Sequence, residues 1–298
     1  MTMPGVGNRS ETMPNALSFD IEEIYHAELV RKHMPPAQRQ SAVVAATEPI
    51  LALLARRNLQ ATFFVVGDVL REHPAFVRAI AAAGHEVGCH TMSHRPLWEM
   101  TPDSLRTELR EFRSLWQALW PAAGNAAPPL LGFRAPTFSL VPRTSWALSV
   151  LAEEGFAYDS SIFPVANPVY GLNGGPLSAY RPSVRDLRQD DPDGPIIELP
   201  MTVWEIAGLR VPVSGGFYLR ALPAPVLLHA LHTVSKTRPL VIYAHPWEAD
   251  PASAVVHGLS PSELLITYYN RASVLPKLER ILDEFPFAPL GAILKVAV

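Results

Sequence analysis

The feature that most constrains the fold is a rhythm of very short apolar runs, each followed by a longer stretch with helical spacing. Residues 16–20 end in Asp20, 61–66 read ATFFVV, 85–89 read HEVGC, 130–133 read LLGF, 196–199 read IIEL and 240–244 read LVIYA. Runs this short and this apolar are the mark of buried strands. Helical patterns fall at about 41–57, 74–83, 101–120, 143–154 and 270–284. Gly84 and Gly155 stand where helices stop, and Thr101-Pro102-Asp103 supplies an N-cap and a first-turn proline. A further extended piece begins at Ala157-Tyr158. Alternation of this kind predicts an α/β fold around a mostly parallel sheet, open or closed as a barrel.

The rhythm breaks over 160–195, a stretch rich in Pro, Gly, Asn and Asp that reads as a long loop over one face. Many of the 30 prolines sit in such connections and stiffen them. Residues 201–220 read as a hairpin or lid, and the chain ends in an apolar run, 290–298. Residues 1–14 are expected to be a disordered tail and 15–298 a single domain, since no linker interrupts them.

Composition excludes several classes. The net charge is −3 and no basic run occurs, so neither nucleic acid nor an anionic membrane is an expected partner. The lone cysteine, Cys89, rules out an internal disulfide framework. The first residues lack an apolar leader core and no apolar stretch approaches a membrane span, so the expected location is the cytoplasm.

Chemistry concentrates at the ends of the strand-like runs. His90 and His94 follow 85–89 at i and i+4, a spacing that on a helical turn brings two imidazoles to one divalent metal; two surface histidines after a turn would look the same. In the segment SFDIEE, an extended backbone sends Asp20 and Glu22 to one face and Ile21 to the core, giving one carboxylate for metal and one for base. An acidic helix start is the competing explanation. His26 lines the same site or is an ordinary helix residue. Arg134, after 130–133, is placed to pair with a catalytic carboxylate or to sit on the surface. His245, after 240–244 and before a proline, is placed as a general acid or as a satisfied buried histidine. The joint placement of Asp20, His90, Arg134 and His245 favours a site, because active sites of parallel α/β folds collect at the C-terminal strand ends. Gly215-Gly216 is a tight turn and a weak phosphate-loop candidate, since no Lys-Ser/Thr follows. Cys89 reads as a small buried residue rather than a nucleophile.

On these segments the chain resembles the polysaccharide deacetylases of the NodB-homology family (carbohydrate esterase family four) over about residues 15–298. SFDIEE resembles that family's T-F-D-D-G motif, HTMSH its H-[ST]-x-x-H motif, FRAP its R-x-P motif and YAHPWE its final L-x-H motif. YDSSIFPV, VSGGFYLR and HPWEADP are similar to a branch found in bacterial exopolysaccharide and exosortase gene clusters. The resemblance implies a distorted (β/α) barrel of about seven parallel strands with long Pro/Gly-rich loops over the active-site face. It implies one divalent ion, Zn²⁺ or else Co²⁺, Ni²⁺ or Mn²⁺, held by Glu22, His90 and His94. Ile21 replaces the aspartate that usually binds metal; relatives with D-x-[DE] place the ligand two residues after the base, which agrees with strand parity and leaves Glu23 as fallback.

In the implied mechanism Asp20 is the base, Arg134 orients it, and His245 protonates the leaving amine, with Glu198 or Asp159 orienting His245. The Thr137 N–H assists the oxyanion. Trp204 and Trp247, with Trp98 and Tyr218, are candidates for a sugar platform, although packing accounts for many such aromatics. The expected substrate is an N-acetylated sugar, polysaccharide or glycan precursor. A same-fold amide hydrolase acting on a cyclic imide, ureide or N-acyl metabolite is the alternative, and a non-catalytic sugar-binding relative a third. Acyl group, sugar and oligomeric state are not specified.

Overall fold

The structure is a computed structural model that describes residues 14–120, 126–167, 169–250 and 255–296. Of the expected 1–14 tail only Pro14 lies within them, and Ala297 and Val298 of the final apolar run lie outside.

The main sheet is formed by β1 (Asn15–Ile21), β2 (Thr62–Val65), β3 (Glu86–Cys89), β4 (Gly132–Phe133), β5 (Tyr158–Asp159) and β6 (Ile197–Glu198), paired in that order. Two further strands, β7 (Val203–Ile206) and β8 (Leu209–Pro212), make a separate antiparallel hairpin; Ala207 and Gly208 at its tip both have positive φ (50° and 77°), as a two-residue turn requires. Then β9 (Val241–Ala244) returns to the free side of β1, and β10 (Phe287–Ala288) adds two residues beside the start of β1. The named strands of the main sheet pair in parallel throughout, while Tyr180 adds an antiparallel bridge to Glu198 of β6. The seven strands β9-β1-β2-β3-β4-β5-β6 curl into a half-barrel, the distorted barrel that the sequence implies. Among the described residues β6 and β9 share no ladder; Thr202 Oγ1 accepts the Val241 N–H (2.6 Å) and Tyr243 N–H donates to Ser214 C=O (2.9 Å) across the seam.

Side-chain alternation builds two cores. Leu17, Phe19 and Ile21 of β1, Phe63 and Val65 of β2, and Ile242 and Ala244 of β9 face the helices in the larger cluster. Ala16, Phe64, Val241 and Tyr243 point the other way into a smaller cluster inside the curl. That period of two leaves Ser18 and Asp20 on the inner face as well. Register then sets the site: Ile21, Val65, Cys89, Phe133, Asp159 and Glu198 are successive partners across the sheet. Glu22, His90 and Arg134 each follow one of these residues, so they leave the sheet at one level.

The outer layer contains α1 (Val43–Arg56), α2 (Gly67–Glu72), α3 (Pro74–Ala82), α4 (Pro102–Ala118) and α5 (Ala147–Glu153). Thr101 caps α4 by accepting the Ser104 N–H at 3.2 Å, and Gly84 and Gly155 end α3 and α5 in the left-handed region (φ 85° and 79°). The expected helix at 143–154 begins instead as a 3₁₀ turn, Pro142–Thr144, because the proline start and the Thr144 side chain, bonded to Ser139 C=O, hold that turn tight. The C-terminal half adds α6 (Gly216–Ala221), α7 (Ala224–Ser235), α8 (Pro246–Ala249), α9 (Pro261–Tyr268), α10 (Val274–Glu284) and α11 (Leu290–Leu294). Neither α7 nor α9 is legible in the apolar rhythm. Among the described residues no helix is long and apolar enough to cross a membrane.

Candidate active site

β1 delivers two carboxylates and turns a third away. Asp20 and Glu22 are buried at the mouth of the curl, with Ile21 between them in the outer core. Glu23 faces the opposite way: its carboxylate accepts the N–H groups of Ala42 (3.0 Å) and Val43 (3.1 Å) and the Ser41 hydroxyl (2.6 Å), so it serves the start of α1. The fallback ligand is therefore corrected. Asp20 Oδ1 accepts Arg134 Nη1–H at 2.6 Å. Arg134, with no solvent exposure, also donates to Ser18 Oγ (2.9 Å), Ser160 C=O (2.8 Å) and Ser160 Oγ (3.0 Å), and its guanidinium lies 4.2 Å from the Phe64 ring centre. Four hydrogen bonds and a ring face hold this fork in one orientation.

The two histidines meet without a helix. Residues 90–94 form a loop in which Thr91 (φ 60°) and His94 (φ 54°) are left-handed, costly for a β-branched residue and typical of a functional constraint. Glu108 of α4 secures the loop by accepting Met92 N–H (2.9 Å) and Ser93 Oγ–H (2.7 Å). Gly67 N–H donates to Thr91 C=O (2.9 Å), and a Cβ on Gly67 would fall 2.0 Å from Met92 Sδ. His90 Nδ1 sits 2.7 Å from Arg134 C=O; a carbonyl only accepts, so Nδ1 carries the proton and Nε2 keeps its lone pair. Burial and the adjacent His94 hold His90 down to about 4, hence neutral.

Glu22, His90 and His94 offer ligand atoms all within 4.8 Å of one another, each residue buried. Glu22 Oε1 accepts Trp247 Nε1–H at 3.0 Å, while Oε2 lies 2.5 Å from His94 Nε2 yet has no aligned hydrogen-bond partner among the described residues. Burial opposes the charge of Glu22, but His94 and His245 outweigh it and keep the carboxyl well below its usual range. An orphaned buried oxygen beside two imidazoles is the donor set a divalent cation would satisfy. His26 backs this cluster rather than joining it: its ring stacks on His94 at 5.5 Å, its Nδ1 accepts Glu23 N–H (3.1 Å), and burial lowers it to about 3.

Opposite stands His245, the N-cap of α8. Its Nε2 is 3.8 Å from Asp20 Oδ2 and 3.6 Å from Glu22 Oε1. Its Nδ1 is 2.7 Å from Glu248 Oε2, and Glu248 Oε1 accepts Arg220 Nε–H at 3.0 Å. Arg220 also donates to the carbonyls of Ile266 (2.7 Å), Thr267 (3.2 Å) and Tyr269 (2.9 Å). Burial disfavours the imidazolium, but Glu248, then Glu22 and Asp20, overcome it and raise His245 to about 9.

This corrects the expected orienting partners. Glu198 and Asp159 do not reach His245; they form their own buried pair inside the sheet. Asp159 Oδ1 accepts Ser161 Oγ–H (2.5 Å) and Glu198 Oε1 accepts Ile162 N–H (2.8 Å). Burial pushes Asp159 up to about 6 and Glu198 well above the carboxylate range.

The groups open into a cavity of about 190 Å³ whose walls include Thr137 and Trp247 together with Phe138, Tyr170, Phe217 and Tyr243. Trp247 stacks on His245 at 5.3 Å. Trp204 is not in this wall: on β7 it meets His229 of α7 edge-on at 5.8 Å, because the hairpin turns that face toward the helix. Trp98 lies under Arg143, and Tyr218 packs on Phe163; neither lines the cavity. Gly215 marks a close approach rather than an anion loop, since its Cβ would fall 2.0 Å from Tyr243 O. Cys89 is buried and burial pushes its thiol up. Sequence reasoning missed Gly67, Glu108, Arg220 and Glu248; only the last left a local signal, since H-P-W-E has the spacing of a capping box.

Residues 36–153 match the family model described as Polysaccharide deacetylase, and residues 160–295 match one described as a domain of unknown function, DUF3473. Residues 36–153 thus carry a polysaccharide deacetylase domain, similar in sequence to the chitooligosaccharide deacetylases. Over 65 residues it is 42% identical to a chitooligosaccharide deacetylase of Rhizobium leguminosarum bv. trifolii, covering 22% of this chain and 30% of that protein. Over 106 residues it is 33% identical to a chitooligosaccharide deacetylase of Bradyrhizobium sp., covering 36% and 43%. The chain thus spans less than half the length of these relatives. A Mycobacterium smegmatis protein assigned as a polysaccharide deacetylase shares the fold at a TM-score of 0.58 and 21% identity, over 95% of this chain and 87% of that one. The part of the cavity wall that includes His245, Glu248 and Arg220 falls in the DUF3473 region.

Proposed function

We propose that the protein hydrolyses the acetamide of an N-acetylated sugar or glycan, with Asp20 as general base and His245 as general acid. The observation that carries this reading is the opposition of Asp20 Oδ2 and His245 Nε2, 3.8 Å apart, beside the buried Glu22–His90–His94 cluster. Amide hydrolysis needs a base for the attacking water and an acid for the departing amine. Arg134 occupies Asp20 Oδ1 and leaves Oδ2 to take a proton. Glu248 binds His245 Nδ1–H, and the raised pKa keeps a proton on Nε2 near neutral pH. Glu22, His90 and His94 would hold one divalent ion, with Zn²⁺ suited to a carboxylate and two imidazoles and Co²⁺, Ni²⁺ or Mn²⁺ as alternates. Such an ion supplies an acidified water and polarises a carbonyl. Thr137, in the cavity wall with φ 57°, presents its N–H as a donor to the developing oxyanion. Trp247 fixes Glu22 through its indole N–H and offers its ring face beside His245. The sugar is favoured over other N-acyl compounds because relatives 42% and 33% identical over the matched stretches are named as chitooligosaccharide deacetylases.

Mass spectrometry on a panel of N-acetylated mono- and oligosaccharides tests the reading. The expected products are the free amine and one acetate per amide, and both should disappear on metal removal. Cleavage of non-sugar N-acyl compounds alone would overturn the sugar assignment.

A further inference from the structure

We propose that an apolar strip running out of the cavity along α9 holds a hydrocarbon chain carried by the sugar substrate; the inference rests on the function proposed above. Ile266 and Phe217 line the cavity. Ile266 is nonetheless 40% exposed, and Leu265 and Tyr269 beside it are 54% and 46% exposed. Helical spacing puts Leu265 and Tyr269 (i, i+4) and Ile266 and Tyr269 (i, i+3) on one face, while Thr267 turns inward and is buried. The ring of Tyr269 meets that of Phe217 at 6.4 Å. The strip therefore continues from the cavity wall to the outer surface. Single exposed apolar residues are ordinary, whereas a contiguous run joined to a ligand cavity marks a binding surface. Its backbone is fixed, because Arg220 ties down the carbonyls of Ile266, Thr267 and Tyr269.

The chemistry of the strip selects the occupant. Of the strip's side chains only Tyr269, through its phenol, can hydrogen-bond the hydroxyls of a second sugar; Leu265, Ile266 and Phe217 cannot. A diphosphate or nucleotide is equally disfavoured. Leu265, Ile266 and Phe217 carry no charge for a phosphate to meet along the strip, and the Arg220 guanidinium, 5.8 Å from the Phe217 ring centre, is engaged by Glu248 and three carbonyls. An aliphatic chain suits both conditions: each buried methylene favours binding by up to about fourfold.

The test compares methyl, butyl and octyl N-acetylglucosaminides, below their micelle concentrations, and the N-acetylglucosamine trisaccharide, by acetate release from the Zn²⁺-loaded protein. The expected ratio of kcat/KM for octyl over methyl is on the order of 10–100. Leu265→Gln and Tyr269→Ser should each shrink that ratio and together bring it close to one. Leu209→Gln, at the exposed tip of the β7–β8 hairpin, should leave it unchanged. A wild-type ratio near one with the methyl glycoside turned over overturns this inference alone, as does a ratio that survives in the double variant. A trisaccharide advantage that vanishes in Tyr269→Ser, without a chain-length effect, reassigns the strip to glycan and also overturns it. A wild-type protein inert on every glycoside, methyl included, removes the proposed function and this inference with it.

Discussion

Asp20 and His245 face each other at 3.8 Å, yet the regions that carry them are built by different means. The base side is a product of sheet register: β1 lies between β2 and β9, and Arg134 arrives from the end of β4, 114 residues along the chain, to hold Asp20. The acid side is a product of a turn: His245 caps a four-residue helix, Glu248 binds it from three residues on, and Arg220 backs Glu248. Displacing Asp20 would require moving strands that share the main core, whereas His245, the proposed acid, depends on Glu248 and the Arg220 pair behind it. Chemistry on the two sides should therefore be separable.

The largest effect sharpens the base side. Glu22→Ala should weaken metal binding by more than the ~10–100-fold that loss of an outer partner costs, because it removes a ligand. Glu23→Ala should leave metal binding intact and cost about 1 kcal/mol of stability, the usual value of a lost helix-start acceptor. Calorimetric metal titration and urea unfolding separate the two, and equal metal loss in both would break the parity argument.

A smaller effect isolates the acid side. Glu248→Gln should keep the metal and lower kcat on an N-acetyl sugar on the order of 10²-fold, since the carboxylate behind an acid–base histidine sets its tautomer and charge. KM should change little. A normal kcat in a folded Glu248→Gln protein would show that Glu248 does not act through His245.

The smallest effect concerns the pair behind both sides. Asp159, raised by burial to about 6 from an ordinary 3.8, binds a proton in the folded protein that the unfolded chain has already lost. Stability is then highest below about pH 4 for this group and falls as pH rises through 6. Glu198→Gln should flatten that fall by donating to Asp159 while still accepting Ile162 N–H. Urea midpoints at pH 5 and pH 8 test this, and parallel wild-type and variant curves would refute proton sharing.

The same contrast explains what could be read in advance. Asp20, His90, Arg134 and His245 were legible because each directly follows a buried run, and register does the rest. The His90–His94 spacing pointed to two side chains that do cluster with Glu22, but through another geometry: a left-handed loop, held by Gly67 and Glu108, replaces the helical turn. Glu198 and Asp159 looked like partners for His245 because they too end strands, but a strand end does not reveal which neighbour a buried carboxyl faces. Trp204 failed for the same reason, its direction being set by the hairpin and α7. Ser260 and Glu263 form a capping box that announces α9, yet the Leu-Leu-Ile run after it has no regular polar face to show the period.

The most direct test of the opposed base and acid is His245→Ala, compared on an ordinary N-acetyl sugar and on an activated acetyl ester whose leaving group needs no proton. Its metal content should equal that of wild type, because Glu22, His90 and His94 remain. The account predicts a loss of ~10²–10⁴-fold in kcat/KM on the amide and nearly full activity on the ester. Equal loss on both substrates would contradict it and leave His245 a positioning residue.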